Sequence, residues 1–482
     1  MLYLLTGLCA YSFVASPSLG PVASRTPAAS LIMNGGKGFG GGEATRDPAP
    51  TEYDPNDPKG KQQAIHKAES FAEYLAKRGA GGSDAAGVVT PTASSAFADT
   101  AHAWLSDAQK AELKATADAM SAPNKGFLAS DESSGPWLRA GHVDAAKVPD
   151  TAENRAAYRS MLYTTPGLSE HISGVILHTE TVYQSDAQGR KMVDLIKENG
   201  MIPGIKLDKG YDTAGIPGTA VGPLGHPETW DKGIDDLEQR AKDAYAQGCR
   251  FAKWRNVLQI DPKQGLPSDL AITLCVHNLA QYAAICQRAG LVPIVEPEIV
   301  PNGDHDIEAC AVVTEKVLVA QFAALKQHGV YLEGAVLKPN MVKNGLAGPK
   351  ATPEQIATAT INVLKRTVPV AMPGIFFLSG ETALDEDNEE EATINLNTMN
   401  TLFKDLPWSV SFSYGKALQK TTIVTWATSG PVSGQAANLA TSQSAILARC
   451  KANGDACKGE YVAGSCDSVG PSGNIEQAAG AY

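Results

Sequence analysis

The strongest constraint in this chain is an alternation that repeats from residue 126 to residue 425. Short apolar or β-branched runs fall at 126–130, 174–178, 202–207, 251–257, 292–295, 335–337, 375–378 and 409–413. Each is followed by a stretch with helical periodicity, at 153–163, 192–198, 232–246, 268–289, 306–327, 353–365, 392–402 and 415–425. Strand followed by helix, repeated in this way, predicts a parallel sheet covered by its own helices and closed as a (β/α)8 TIM barrel. An open doubly wound sheet needs a glycine-rich phosphate turn after its first strand, and Gly126-Phe127-Leu128-Ala129-Ser130-Asp131 offers none. In such barrels the chemistry sits at the C-terminal strand ends.

Those ends are charged. The first run ends in Asp131-Glu132-Ser133, the third carries Lys206 and Asp208, the fourth Lys253 and Arg255, and the fifth Glu296 and Glu298. The sixth ends in Lys338, the seventh in Ser379-Gly380, and the eighth in Ser413-Tyr414-Gly415-Lys416. Side chains two apart on a strand share a face. Lys206/Asp208, Lys253/Arg255 and Glu296/Glu298 are therefore each expected to send two charges into the barrel mouth. One such pair alone reads as a structural ion pair. Three on consecutive strands, beside a lysine on the sixth, point to an active site, where the cost of burying charge is tolerated.

Lys338 ends an apolar strand that Pro339 stops. A lone lysine in that setting reads as a snorkelling side chain. With a second cation, Lys253, expected close by, it becomes a candidate nucleophile. Burial and mutual repulsion are expected to depress the two ammonium pKa values, leaving one lysine as a neutral amine. Glu296 and Asp131 supply carboxylates for proton transfer. A neutral amine attacking a ketone needs acid catalysis to lose water as an iminium, which is then an electron sink for breaking or making a C–C bond. Ser379-Gly380 and Ser413 to Lys416 end strands seven and eight, where such barrels bind phosphate through backbone N–H groups. Lys206 and Arg255 offer charge for a second anionic group across the mouth.

Composition narrows the partners. The chain has 482 residues, 43% hydrophobic and 19% charged, an ordinary globular balance, and its net charge of −11 argues against nucleic acid or an anionic membrane as the main partner. The eight cysteines include no CxxC pair and the nine histidines no HxH or HExxH grouping, so neither metal nor other cofactor is expected. Cys450, Cys457 and Cys466 cluster in a polar tail, where nothing in the sequence supports a redox role. Residues 2–15 form an apolar run too short to span a bilayer, and 16–42 contain no acidic residue. A signal-like core followed by a transit-like stretch resembles the two-part leaders of proteins sent to plastids of secondary origin. Residues 1–42 are thus read as a leader to the plastid stroma, with the cytoplasm as the alternative. An extension over 43–104 holds one helical pattern between 59 and 78. The barrel is expected over 105–440, and a C-terminal tail reaching the active site over 441–482.

Seven internal stretches match one family in order: Leu128-Ala-Ser-Asp-Glu-Ser133, Gly204-Ile-Lys-Leu-Asp-Lys-Gly210, Phe251-Ala-Lys-Trp-Arg255, Val295-Glu-Pro-Glu-Ile299, Leu337-Lys-Pro-Asn-Met-Val342, Phe377-Leu-Ser-Gly380 and Ser411-Phe-Ser-Tyr-Gly415. With the terminal Ala481-Tyr482, residues 105–482 resemble class I fructose-bisphosphate aldolase, the Schiff-base type. The resemblance implies that Lys338 forms the Schiff base and that Glu296 is the acid/base for its formation. It implies that Asp131 takes the C4 hydroxyl proton, that Lys253 stabilises charge, and that Glu298 supports Lys253 and Lys338. The ketone-side phosphate would lie with Ser379, Gly380, Gly415 and Lys416, the other with Lys206 and Arg255. Tyr482 would reach the mouth on a mobile tail and assist proton exchange at the enamine. The family is metal-free and commonly homotetrameric.

The implied reaction is reversible cleavage of fructose 1,6-bisphosphate to dihydroxyacetone phosphate and glyceraldehyde 3-phosphate, in glycolysis, gluconeogenesis or the Calvin cycle. Two departures fall on one phosphate subsite. Lys416 stands where the family has arginine, so a bidentate fork becomes a point charge and weaker ketone-phosphate binding is expected. The loop over 379–391 is longer and more acidic than the family's Ser-Gly-Gly turn. Two other readings stay open: a Schiff-base aldolase for a related sugar bisphosphate such as sedoheptulose 1,7-bisphosphate, and a scaffold that kept the barrel and lost turnover. Intact Asp131, Glu296 and Lys338 speak against the second.

Overall fold

A computed structural model describes residues 102–131, 150–380, 389–427 and 436–466. The leader, the helical pattern between 59 and 78, Glu132, Ser133, residues 381–388 and Tyr482 lie outside the described residues. Eight parallel strands close into a barrel in chain order: β1 Gly126–Ser130, β2 Ile172–Leu177, β3 Ile202–Lys206, β4 Phe251–Leu258, β5 Val292–Ile299, β6 Val336–Leu337, β7 Gly374–Phe377 and β8 Ser409–Tyr414. Closure is made by β1 on β8, with Phe127 opposite Ser413 and Leu128 opposite Tyr414. The fold is the expected (β/α)8 barrel.

The helices are α1 Asp107–Met120, α2 Ala152–Tyr163, α3 Thr179–Val182, α4 Met192–Glu198, α5 Leu237–Gln247, α6 Asp269–Arg288, α7 Ile307–Gln327, α8 Pro353–Thr367, α9 Glu391–Leu402, α10 Lys416–Ala427 and α11 Ala436–Ala456. Their starts are written locally. Thr352 and Gln355 make a reciprocal capping box with Pro353 at the first helical position, and Ser268 and Asp306 cap α6 and α7. Three elements differ from the sequence expectation. α5 begins at Leu237 rather than 232, because residues 208–236 form a loop stitched by the bridges Tyr211–Asp231 and Val221–Pro227. β5 continues through Glu296-Pro297-Glu298 to Ile299, since the barrel interior supplies the charges those glutamates need. Residues 441–456, expected within a tail, belong to α11, which packs against α10 and α9.

Strand alternation splits the core in two. Leu128, Val175, Ile205, Trp254, Val295, Leu337 and Phe377 face the helices, whereas Phe127, Ala129, Ile176, Phe251, Val292, Ile294, Val336 and Phe376 fill the barrel. Leu113, Ala117 and Met120 of α1 join that inner cluster and close the N-terminal end. Phe127 stacks on Phe376 at 4.1 Å and on Phe251 at 5.5 Å between ring centroids. Room for Phe251 comes from Gly204, where an added Cβ would lie 2.2 Å from Phe251 Cε2. Gly204→Ala should therefore cost about 1–3 kcal/mol by overpacking. Denaturant unfolding measures this, and an unchanged midpoint would contradict the packing.

Candidate active site

The interior rows that start in phenylalanine and valine end in charge. One further step of two residues gives Asp131 after Ala129, Lys206 after Gly204, Lys253 after Phe251, Glu296 after Ile294 and Lys338 after Val336. Their exposures are 3%, 8%, 3%, 2% and 4%, so this charged layer is buried directly on the apolar one. β6 has only two residues, yet its end is fixed. The Lys338 N–H donates to Val295 O at 2.8 Å, and Pro339 O accepts from Leu378 N at 3.2 Å.

Glu296 is the hub. Its Oε1 lies 2.9 Å from Lys338 Nζ and its Oε2 3.1 Å from Lys253 Nζ, while Lys253 Nζ is 3.0 Å from Asp131 Oδ2. The result is one chain of alternating sign, Lys338–Glu296–Lys253–Asp131. Glu296 Oε2 meets Lys253 without hydrogen-bond geometry and has no donor among the described residues, so that contact is Coulombic.

Electrostatics follow from the chain. Burial alone would raise the Asp131 carboxyl, but the ammonium groups of Lys253, Lys338 and Lys206 outweigh it and hold the pKa at about 2. Burial also pushes Glu296 up, and Lys253, Lys338 and Arg255 bring it below the usual carboxylate range. Lys253 departs from the expected mutual depression. Burial pulls its pKa down, but Asp131, Glu296 and Asp208 push it well above its ordinary value. Lys253 is thus locked as a cation between two carboxylates, whereas among the described residues Lys338 has Glu296 alone as an ion-pair partner.

The next level outward carries its own pairs. Arg255 Nε bonds Glu298 Oε2, and Lys206 Nζ lies 3.3 Å from Asp208 Oδ1. Glu298 thus pairs with Arg255 among the described residues, and not directly with the lysines it was expected to support. Two residues of strand lift it about 6.6 Å above Glu296, to the height of the long Arg255 side chain. Ser379 and Gly380 follow β7, with Gly380 at φ 71°, a backbone that favours glycine. Ser413 is buried on β8, its Oγ without a hydrogen-bond partner among the described residues. Gly415 opens α10, its carbonyl accepting from Leu418 N and Gln419 N, and Lys416 is the first residue of that helix.

Asp131, Lys253, Glu296 and Lys338 are in direct contact, and Lys206, Arg255 and Glu298 ring them. A further carboxyl joins from the loop before α5. Asp231 is buried, and burial first, then nearby Asp208, push its pKa well above the aspartate range. It follows no strand, so no strand-end pattern could have marked it. Among the described residues no three His, Cys, Asp or Glu side chains converge as a metal site. Burial raises the Cys450 thiol and takes Cys457 to about 12, which keeps both as thiols.

The ion-pair chain has a pH signature. Asp131 falls from 3.8 to about 2 in the folded chain, so its pairing stabilises above about pH 4 and is lost as pH drops through 2. Lys253→Met leaves two buried carboxylates short of a cation, at an expected cost of about 3–5 kcal/mol at pH 7. That cost should shrink toward pH 4, as the carboxyls, now with raised pKa values, take up protons. Denaturant unfolding of both proteins at the two pH values checks this, and an equal loss at both would contradict the pairing.

Comparison with known proteins agrees with this geometry. A family model described as class-I fructose-bisphosphate aldolase matches residues 112–479. Fructose-bisphosphate aldolase 1 of Toxoplasma gondii is 47% identical over 367 residues, covering 76% of this chain and 95% of the relative. Cytosolic fructose-bisphosphate aldolase 5 of Arabidopsis thaliana is 47% identical, covering 73% and 92%, and bovine (Bos taurus) aldolase B is 47% identical, covering 74% and 93%. The solved fructose-bisphosphate aldolase of Plasmodium falciparum, in complex with TRAP and a small-molecule inhibitor, superposes with a TM-score of 0.69 at 44% identity, covering 75% of this chain and 98% of that one. The chain belongs to the class I fructose-bisphosphate aldolase family, with the carbon–carbon lyase activity of that family.

Proposed function

We propose that Lys338 is the Schiff-base nucleophile and Glu296 the acid/base that serves it. The observation carrying this is one carboxylate shared by two lysines in unequal company: Lys253 has a second carboxylate at 3.0 Å, and Lys338 has none among the described residues. Lys253 remains the cation. Lys338 passes one proton to Glu296 and attacks the ketone carbon, whose oxygen takes a second proton from the attached nitrogen to become the carbinolamine hydroxyl. Glu296 then protonates the carbinolamine hydroxyl, which leaves as water and gives the iminium. As the C3–C4 bond breaks, Asp131 takes the C4 hydroxyl proton and the bonding electrons enter the iminium, leaving an enamine and glyceraldehyde 3-phosphate. Protonation of the enamine and hydrolysis release dihydroxyacetone phosphate. Held at about 2, Asp131 is a weak base, so the pull of the iminium drives this step more than the basicity of the carboxylate.

The ketone-side phosphate is assigned to Ser379, Gly380, Ser413, Gly415 and Lys416, at the N-terminus of α10. The distal phosphate goes to Lys206 and Arg255, with Glu298 fixing the guanidinium. Tyr482, outside the described residues, is assigned to enamine protonation on the family resemblance alone. Homotetramer assembly rests on the same resemblance, supported by exposed Leu270 and Leu274 on α6 and Val312 and Val319 on α7. The composition of residues 1–42, which precede the family match, favours the plastid stroma, and the cytosolic names of plant relatives favour the cytoplasm. Lys338→Met should lower kcat for fructose 1,6-bisphosphate by roughly 10⁴-fold with the fold intact. Turnover at the wild-type rate in that variant would end this reading.

A further inference from the structure

Behind the ketone-phosphate subsite, one buried arginine ties three elements together. Arg449 of α11, 1% exposed, donates from Nε to Ala417 O at 3.1 Å in the first turn of α10. Its Nη2 donates to Glu389 O at 2.6 Å, just ahead of α9, and to Thr393 Oγ1 of α9 at 3.0 Å. Asn453 fixes the arrangement by donating to Arg449 O at 2.9 Å and accepting from Thr393 Oγ1 at 2.9 Å. The Glu389 side chain meets α10 as well. Its Oε1 accepts from Thr421 N at 2.8 Å and its Oε2 from Thr421 Oγ1 at 2.5 Å.

Ala417 O and Thr421 N–H are the two ends of a single i to i−4 step of the helix. The arginine addresses one end and the glutamate the other. Side chains set against a ladder step re-aim the turn beyond it, and the turn beyond this one carries Gly415 and Lys416. The same arginine holds the Glu389 backbone, just ahead of α9. We infer that Glu389 and Arg449 are positioning residues that set the aim of the first turn of α10 and hold it at a fixed spacing from the start of α9. This rests on the ketone-phosphate assignment above. Both side chains are engaged with α9 and α10 and lie behind the subsite, so their effect belongs in substrate affinity and not in the bond-breaking step.

Fructose 1-phosphate, which carries only the ketone-side phosphate, isolates that subsite from the one at Lys206 and Arg255. Glu389→Ala should raise KM for fructose 1-phosphate and for fructose 1,6-bisphosphate by a similar factor of about 10, the loss of one charge-assisted contact, with kcat within about twofold. Glu389→Gln, which keeps an acceptor for Thr421, should recover part of that loss. Arg449→Met should act in the same direction; should it fail to fold, the Glu389 pair decides. An unchanged KM for both sugars, a rise for the bisphosphate alone, or a fall in kcat alone would overturn the inference. Lys416→Ala tests the underlying assignment separately and should raise both KM values. If it does while Glu389→Ala leaves KM alone, only the positioning role falls. If it does not, the subsite assignment falls with it.

Discussion

A single carboxylate between two buried ammonium groups is the interaction on which this active site depends. Glu296 meets Lys338 at 2.9 Å and Lys253 at 3.1 Å, inside a barrel whose lower half is phenylalanine, valine and isoleucine. Unpaired charges at that depth would cost several kcal/mol each. Alternation of sign along Lys338–Glu296–Lys253–Asp131 makes burial tolerable, and the closed sheet keeps the members from drifting apart. The apolar floor has an active part in this. Phe127, Phe251 and Phe376, sealed by α1, keep water from entering beneath the charges, which strengthens every interaction above.

The same scaffold gives two chemically similar lysines different roles. Lys253 stands on β4, where Asp131 and Glu296 reach it from different strands, and it is driven firmly toward the charged form. Lys338 stands at the end of a two-residue strand, where Glu296 is its ion-pair partner. In the proposed mechanism, nucleophile and electrostatic anchor are distinguished by strand position and not by residue type. One level outward, Arg255 and Glu298 repeat the device with a guanidinium, whose planar fork suits phosphate recognition.

Much of this was legible in the sequence, because a barrel turns strand position into depth. The eight runs, the i, i+2 charge pairs and the proline-stopped Lys338 all carry local signals, and the barrel mouth gathers them. What was not legible depends on packing between distant segments. Helix α1 lies outside the strand–helix alternation read from the sequence, and only packing shows it closing the barrel with Leu113 and Met120. Helix α11 lies in polar sequence, yet it contributes the fully buried Arg449. The pairing of Glu298 with Arg255 was not legible, because spacing gives the face of a strand but not the height at which a long side chain meets its partner. The direction of the Lys253 shift was missed because the carboxylates that surround it come from β1 and β5.

The central claim is that the amine of Lys338, and not that of Lys253, forms the covalent bond. Borohydride reduction of the protein with dihydroxyacetone phosphate, followed by mass-spectrometric peptide mapping, tests it most directly. The account predicts a reduced adduct on the peptide containing Lys338 and none on the peptide containing Lys253. An adduct on Lys253, or reduction that leaves every lysine unmodified, would contradict it.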